Sequence, residues 1–75
     1  MKEKQAIERA IESLKQRGET LPIKEASARW MQELHAGMGR AGWQVLLLLD
    51  IEMDPNDVVV EVYDDTEEVI VVPMV

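Results

Sequence analysis

The stretch "HAGMGRAGWQVLLLLDIEM", residues 35–53, decides the fold, because the spacing of apolar residues changes within it. Before this stretch apolar side chains recur every three or four residues, which is typical of a helix, whereas from Trp43 onward they alternate, which is typical of a strand. Leu46 and Leu48 lie between the alternating positions, so this strand is apolar on both sides at its start. We therefore place the junction between a helical half and a sheet half at the glycines.

Two helices are predicted on the N-terminal side of the junction. The first covers about residues 3–17 and has Gly18 as its C′ residue. The second begins with Thr20 as N-cap and Pro22 in the first turn, and carries one apolar stripe: Ile23, Ser27, Trp30, Met31, Leu34 and Met38. Its end is open between two alternatives, Ala36 or Ala41. We favour Ala41, which predicts a positive φ at Gly42 and places Trp43 against the end of this helix.

Three strands are predicted on the C-terminal side. The first covers residues 43–53, the second covers residues 58–63 and the third is "VIVVPMV", residues 69–75, with turns at "DPND" and "DDTEE" between them. The sequence therefore predicts a single domain over residues 1–75. Its fold class is α+β in the order α-α-β-β-β, with two N-terminal helices packed on one face of a three-stranded antiparallel meander.

The second face of this sheet predicts self-association. Two short helices cover only part of a sheet that is apolar on both sides, and a large exposed apolar face normally marks an interface. A chain of 75 residues without cysteine cannot use disulfides, which leaves a partner chain as its stabilising addition. We expect a homodimer joined by this face or by strand edges; the alternative is a monomer whose helices sandwich the sheet. The residues expected at the interface are Leu46, Leu48, Val59, Ile70, Val72 and Met74.

The charges divide the chain into two halves. All eight Lys and Arg residues lie within residues 2–40, while residues 41–75 hold nine acidic residues and no basic one. Such a half does not suit nucleic acid, whose phosphates bind Lys and Arg. The acids either keep the strands soluble or attract a basic protein partner. The acidic residues are Asp50, Glu52, Asp54, Asp57, Glu61, Asp64, Asp65, Glu67 and Glu68.

The glycines at 37, 39 and 42 spell G-x-G-x-x-G, the spacing of dinucleotide-binding loops. In such loops a strand precedes the glycines and a helix follows, so that helix amides meet the pyrophosphate. Here the predicted order is reversed. The shorter "GRAG" fails for the same reason as an RNA-binding loop, because a strand follows it. We therefore expect no nucleotide or other cofactor.

Catalytic and metal sites have few candidate residues. His35 is the only histidine, and there is no cysteine. Asp50, Glu52, Asp54 and Glu61 fall at calcium-loop positions 1, 3, 5 and 12, but Pro55 occupies the position that requires glycine. We expect no metal site and no enzymatic activity.

The remaining expectations concern location and function. The longest apolar run has seven residues, against about 20 for a membrane-spanning helix, and the charged N-terminus shows no secretory leader. We expect a cytoplasmic protein without membrane contact. Its predicted function is that of a non-catalytic interaction or regulatory module whose acidic sheet end faces a basic protein. The alternative is a structural or assembly domain whose apolar sheet face mediates self-association.

Overall fold

The computed structural model describes residues 2–18, 21–36, 38–52 and 56–72. One helix is followed by four strands: α1 (Glu3–Gln16), β1 (Ile23–Met31), β2 (Gly42–Leu49), β3 (Asp57–Tyr63) and β4 (Val69–Val72). The strands form one antiparallel sheet in the order β1-β2-β3-β4. Each strand therefore pairs with the next one along the chain.

Helix α1 forms where the sequence predicts the first helix. Its buried residues Ala6, Ala10 and Leu14 follow one another at intervals of four, which places them on a single face. The backbone N–H of Lys2 donates to Oε1 of Gln5 at 3.0 Å at the start of the helix. At its end Gly18 has a φ of +80°. This conformation confirms Gly18 as the residue that terminates the helix.

The hydrophobic core lies between α1 and one face of the sheet, which we call the covered face. Its central side chains, Val45 and Leu47 of β2 and Val60 and Val62 of β3, are 0% exposed. The three buried residues of α1 pack against them. Partly buried residues surround this core: Ile7, Ile11, Leu21, Ile23, Ala28, Trp43, Val58, Val69 and Val71.

The predicted fold class α-α-β-β-β is wrong, because residues 23–31 form a strand and not a second helix. The order is α-β-β-β-β. In the predicted meander the leucine-rich strand would lie at a sheet edge with unpaired backbone groups, an arrangement that favours aggregation. Pairing with β1 from Ile23↔Leu49 to Met31↔Gly42 makes β2 an interior strand. This non-local pairing overrides the local helical spacing.

Both predicted ends of a second helix, Ala36 and Ala41, are therefore wrong. Residues 32–41 form the connection between β1 and β2, in which the N–H of Leu34 donates to the carbonyl of Arg40 at 2.8 Å. The positive φ expected at Gly42 is also wrong, since the described glycines with positive φ are Gly18 and Gly39. Trp43 lies in β2 and meets Trp30 edge to face, with ring centroids 5.6 Å apart.

Gly42 is required by close packing. A Cβ atom at this position would contact the carbonyl oxygen of Val62 and would come within 2.7 Å of Leu34 Cδ1 and 3.1 Å of Tyr63 Cα. Two of these neighbours are backbone atoms, which cannot turn aside as a side chain can. The glycine therefore lets the loop and β3 approach β2.

The two predicted turns lie where strands reverse. The N–H of Leu49 donates to the carbonyl of Asn56 at 2.7 Å across the β2–β3 connection. In the β3–β4 turn, the N–H of Tyr63 donates to the carbonyl of Glu68 at 2.9 Å. Strand β2 ends at Leu49, so the predicted continuation of this strand over residues 50–52 is wrong. Met53, the proline of "DPND" and the last three predicted strand residues, 73–75, lie outside the described residues.

Candidate interaction face

Side chains alternate across a sheet, so the strands present a second face opposite α1. We call it the open face, because α1, the only helix of residues 2–18, 21–36, 38–52 and 56–72, packs against the covered face. The strand register joins Ser27, Leu46, Val59 and Val72 into one row across the sheet. The open face includes Glu25, Ser27, Arg29, Gln44, Leu46, Leu48, Asp57, Val59, Glu61, Ile70 and Val72.

The open face brings together five of the six residues predicted for self-association: Leu46, Leu48, Val59, Ile70 and Val72. The sixth, Met74, lies outside the described residues. Leu46 is 41% exposed, and the other four side chains are half-buried. The apolar side chains thus form one continuous patch, in which Leu46 is the most exposed.

Two depressions flank Leu46 along the strand direction. One has a volume of about 310 Å³ and is lined by Arg29, Gln44 and Val59 together with Ser27 and Leu46. The other has a volume of about 380 Å³ and lies on the side of Glu25 and Leu48. The Leu46 side chain therefore projects between two depressions. Each depression could receive a side chain that projects in the same way from another surface.

Polar side chains line the β1 side of the open face. The Nε group of Arg29 donates to Oε1 of Gln44 at 2.9 Å, and this bond holds the guanidinium over the sheet. Glu25 lies four residues earlier in the same strand, beside Leu48. Along β1, the face therefore offers an acidic group, Glu25, on one side of its central row and a basic group, Arg29, on the other.

The glycine-rich loop closes one end of the open face. Glu61 of β3 is only 1% exposed, and its carboxylate accepts the backbone N–H groups of His35 at 3.2 Å and Ala36 at 2.8 Å. Leu34 is buried beside Gly42. Successive backbone N–H groups form a concave site for an anion. The two amides that directly precede the dinucleotide spacing thus bind an anion here, the carboxylate of Glu61 in the same chain.

Sequence reasoning missed the β1 part of this face. It placed Glu25, Ser27 and Arg29 on a helix and did not use their alternation with Ala26, Ala28 and Trp30. That alternation of polar and less polar residues at period two is the signal that could have revealed an edge strand. The burial of Glu61 gives no such signal, because the covering loop lies 25 residues earlier in the chain.

The nine predicted acidic residues do not form one surface. Asp50, Glu52 and Asp57 lie at or beside the β2–β3 end, while Asp54 falls outside the described residues. The opposite end of β3 carries the turn residues Asp64, Asp65, Glu67 and Glu68. Seven residues of β3 separate the two groups by about 20 Å. Glu61 lies between them and is buried under the loop.

One of the turn acids forms an ion pair. The Nη2 group of Arg40 lies 2.7 Å from Oδ1 of Asp65, and its guanidinium stacks 3.8 Å from the ring centroid of Tyr63. The hydrogen bond from Arg40 lowers the pKa of the Asp65 carboxyl below its ordinary value. The loop and the β3–β4 turn are thus linked on the surface.

His35 contributes its backbone N–H to Glu61, and its side chain is exposed. Among the described residues, no group of three or more His, Cys, Asp or Glu side chains is placed to hold a metal ion. Within the same part of the chain, no helix combines the length and the apolar character that crossing a membrane requires.

Comparison with known proteins gives no relative for this arrangement. No protein-family model, no curated protein and no solved structure matches the chain.

Proposed function

We propose that this chain is a self-associating domain and that the open face joins two copies into a homodimer. The observation that carries the proposal is the exposure of Leu46 within a continuous apolar patch, on the face that α1 leaves uncovered. Large contiguous apolar patches on soluble proteins mark interfaces. Two antiparallel sheets stacked face to face would bury this row as a second core.

The small core on the covered face supports this proposal. Two of the three buried residues of α1 are alanines, which bring little apolar surface to the sheet. A domain of 75 residues buries a smaller fraction of its surface than a larger one does. Binding of a second folded copy stabilises such a domain by mass action.

The chemistry of the open face favours a second copy over a basic partner. The face holds the acids Glu25 and Asp57 at one end, and the base Arg29 and the buried Glu61 at the other, around an apolar centre. A surface of mixed charge complements itself under two-fold symmetry, as an isologous interface requires. A strongly basic partner would instead meet Arg29 as a like charge.

The test compares two variants that add the same positive charge on opposite sides of the molecule. Leu46→Arg places an arginine at the centre of the open face, whereas Gln16→Arg places one on the exposed side of α1. Light scattering should give a dimer mass for the parent chain and for Gln16→Arg, and a monomer mass for folded Leu46→Arg. A parent chain that stays monomeric at high micromolar concentration contradicts the proposal.

A second candidate function is the binding of a basic protein, and one observation favours it. Four acidic residues, Asp64, Asp65, Glu67 and Glu68, lie together in the β3–β4 turn. A cluster of one sign attracts cationic surfaces in a manner that salt weakens. Partners that the parent chain captures in a salt-sensitive manner, and that the Glu67→Gln, Glu68→Gln double variant does not capture, would support this function. Equal capture by the parent chain and the double variant would contradict it.

The proposed role is non-catalytic and cytoplasmic. Both parts rest on the sequence, which offers a single histidine and no cysteine for covalent chemistry. They remain predictions that accompany the self-association proposal.

A further inference from the structure

The loop between β1 and β2 limits how two open faces can meet. It lies over the two central strands, because Leu34 contacts Gly42 of β2 and the amides of His35 and Ala36 hold Glu61 of β3. Stacked sheets lie about 10 Å apart, a gap that such a loop fills. Two loops cannot occupy the same part of the gap. The two copies must therefore place their loops at opposite ends of the interface.

The charges of β1 fit that arrangement. Glu25 and Arg29 lie two residues before and two residues after Ser27, which belongs to the central row with Leu46. A two-fold axis that runs along this row stacks β1 on the partner's β1 with the strand direction reversed. Glu25 then faces the partner's Arg29, and symmetry repeats the pair.

The side chains are positioned for this pairing. Arg29 uses Nε to bind Gln44 at 2.9 Å, and a guanidinium offers five N–H donors in all. The two depressions beside Leu46 lie along the strand, one on the side of Glu25 and one on the side of Arg29. Reversal of the strand direction exchanges these two sides between the copies.

We propose that the second copy packs with its strands antiparallel, about a two-fold axis along the row Ser27, Leu46, Val59 and Val72, and that Glu25 pairs with the partner's Arg29. This arrangement rests on the homodimer proposed above. It defines the register of the dimer, which the exposed leucine alone does not.

Charge reversal tests the pairing. Glu25→Arg or Arg29→Glu alone creates two like-charge contacts and should weaken dimerisation about tenfold. The double variant restores opposite charges and should return the dissociation constant to within about threefold of the parent. Lys24→Glu is the matched control, because it makes the same charge change as Arg29→Glu at an exposed neighbour. A double variant that dimerises no better than the single ones overturns the pairing.

A single cysteine tests the register by distance. Ser27→Cys introduces the only thiol in the chain. The proposed axis runs through residue 27, so across stacked sheets the two thiols point towards each other and should join, either as a disulfide under oxidising conditions or through a short bismaleimide. Gln16→Cys on α1 should give neither product.

The outcomes separate the two proposals. The absence of both products in a protein that sediments as a dimer would overturn the register but not the homodimer. A parent chain that sediments as a monomer would overturn the homodimer itself.

Discussion

Leu46 and Leu47 are neighbours in β2, yet they lie on opposite faces of the sheet and in different surroundings. Leu47 is 0% exposed and belongs to the core beneath α1, whereas Leu46 is 41% exposed on the open face. Alternation along a strand that is apolar on both sides produces two apolar faces. A single 14-residue helix covers one of them. The difference teaches that α1 closes a core on one face of the sheet and leaves the apolar side chains of the other face half-buried or exposed.

The open face repeats this contrast along its own length. At the loop end, Leu34 and the backbone amides of residues 35 and 36 bury Glu61. Towards the β2–β3 connection, Leu46 and Leu48 have no such cover from the described residues. The loop thus covers the polar end of the face and not its apolar part.

The largest expected effect separates the two leucines. Leu47→Ala should lower the free energy of unfolding by about 3 kcal/mol, because it leaves a cavity in a closed core. Leu46→Ala should cost less than about 1 kcal/mol in the monomer, since its side chain is already partly in water. Urea denaturation measures both losses of stability, at protein concentrations well below the dimer dissociation constant.

The effects of the two variants on dimerisation should have the opposite order. Leu46→Ala should weaken the dimer more than Leu47→Ala does, provided that each variant is folded by circular dichroism. Equal losses of stability for the two variants in the dilute protein would mean that the faces do not differ as described.

The next effect concerns the loop end of the open face. Glu61→Ala removes the acceptor of two backbone N–H groups and should lower the free energy of unfolding by about 2 kcal/mol. Glu61→Gln keeps one amide oxygen as acceptor and should cost about 1 kcal/mol. Thermal unfolding followed by circular dichroism checks the order. Glu12→Ala on exposed α1 is the control, and a Glu61→Ala variant as stable as this control would contradict the account.

A smaller effect is expected from salt. Each chain carries a formal charge of −7, so two copies repel each other. Raising the ionic strength from low to physiological screens this repulsion and should tighten the dimer about threefold. Binding of a basic partner should weaken under the same change. Fluorescence anisotropy of labelled chain across a salt series measures the slope, and a dimer that salt weakens strongly would contradict an apolar interface.

The smallest effect lies at the surface pair of Arg40 and Asp65. The pKa of Asp65 lies below its ordinary value of 3.8 because Arg40 donates a hydrogen bond to the ionised form. Its contribution to stability is therefore present above the unfolded pKa and is lost as the pH falls through the folded value. Arg40→Gln should move the carboxyl pKa back towards 3.8, as measured by a carbon-detected NMR titration. An unchanged pKa would show that Arg40 does not hold this carboxyl.

The sequence was sufficient for the elements whose periodicity is local. Ala10 and Leu14 mark α1, Gly18 ends it, and the alternation from Trp43 onward predicts which residues of β2 and β3 share a face. This alternation brought Leu46 and Leu48 onto the predicted association surface. Period-two patterns fix the face of a residue whenever the strand itself is correctly assigned.

The sequence was not sufficient where distant segments decide the structure. Residues 23–31 contain Ala26 and Ala28, which favour helices locally, and the strand forms because β2 needs a partner at its outer edge. Glu61 has the sequence context of a solvated acid, and its burial depends on a loop from another hairpin. Contacts of this kind are set by tertiary packing and leave no local pattern.

Concentration-dependent NMR shifts of the methyl groups test the central claim most directly. On dilution through the dissociation constant, the account predicts that the methyl signals of Leu46, Leu48, Val59 and Val72 shift, while those of Leu47 and Val45 on the covered face stay constant. Shifts confined to α1 or to the β3–β4 turn, or no shift at any concentration, would contradict the open face as the surface of self-association.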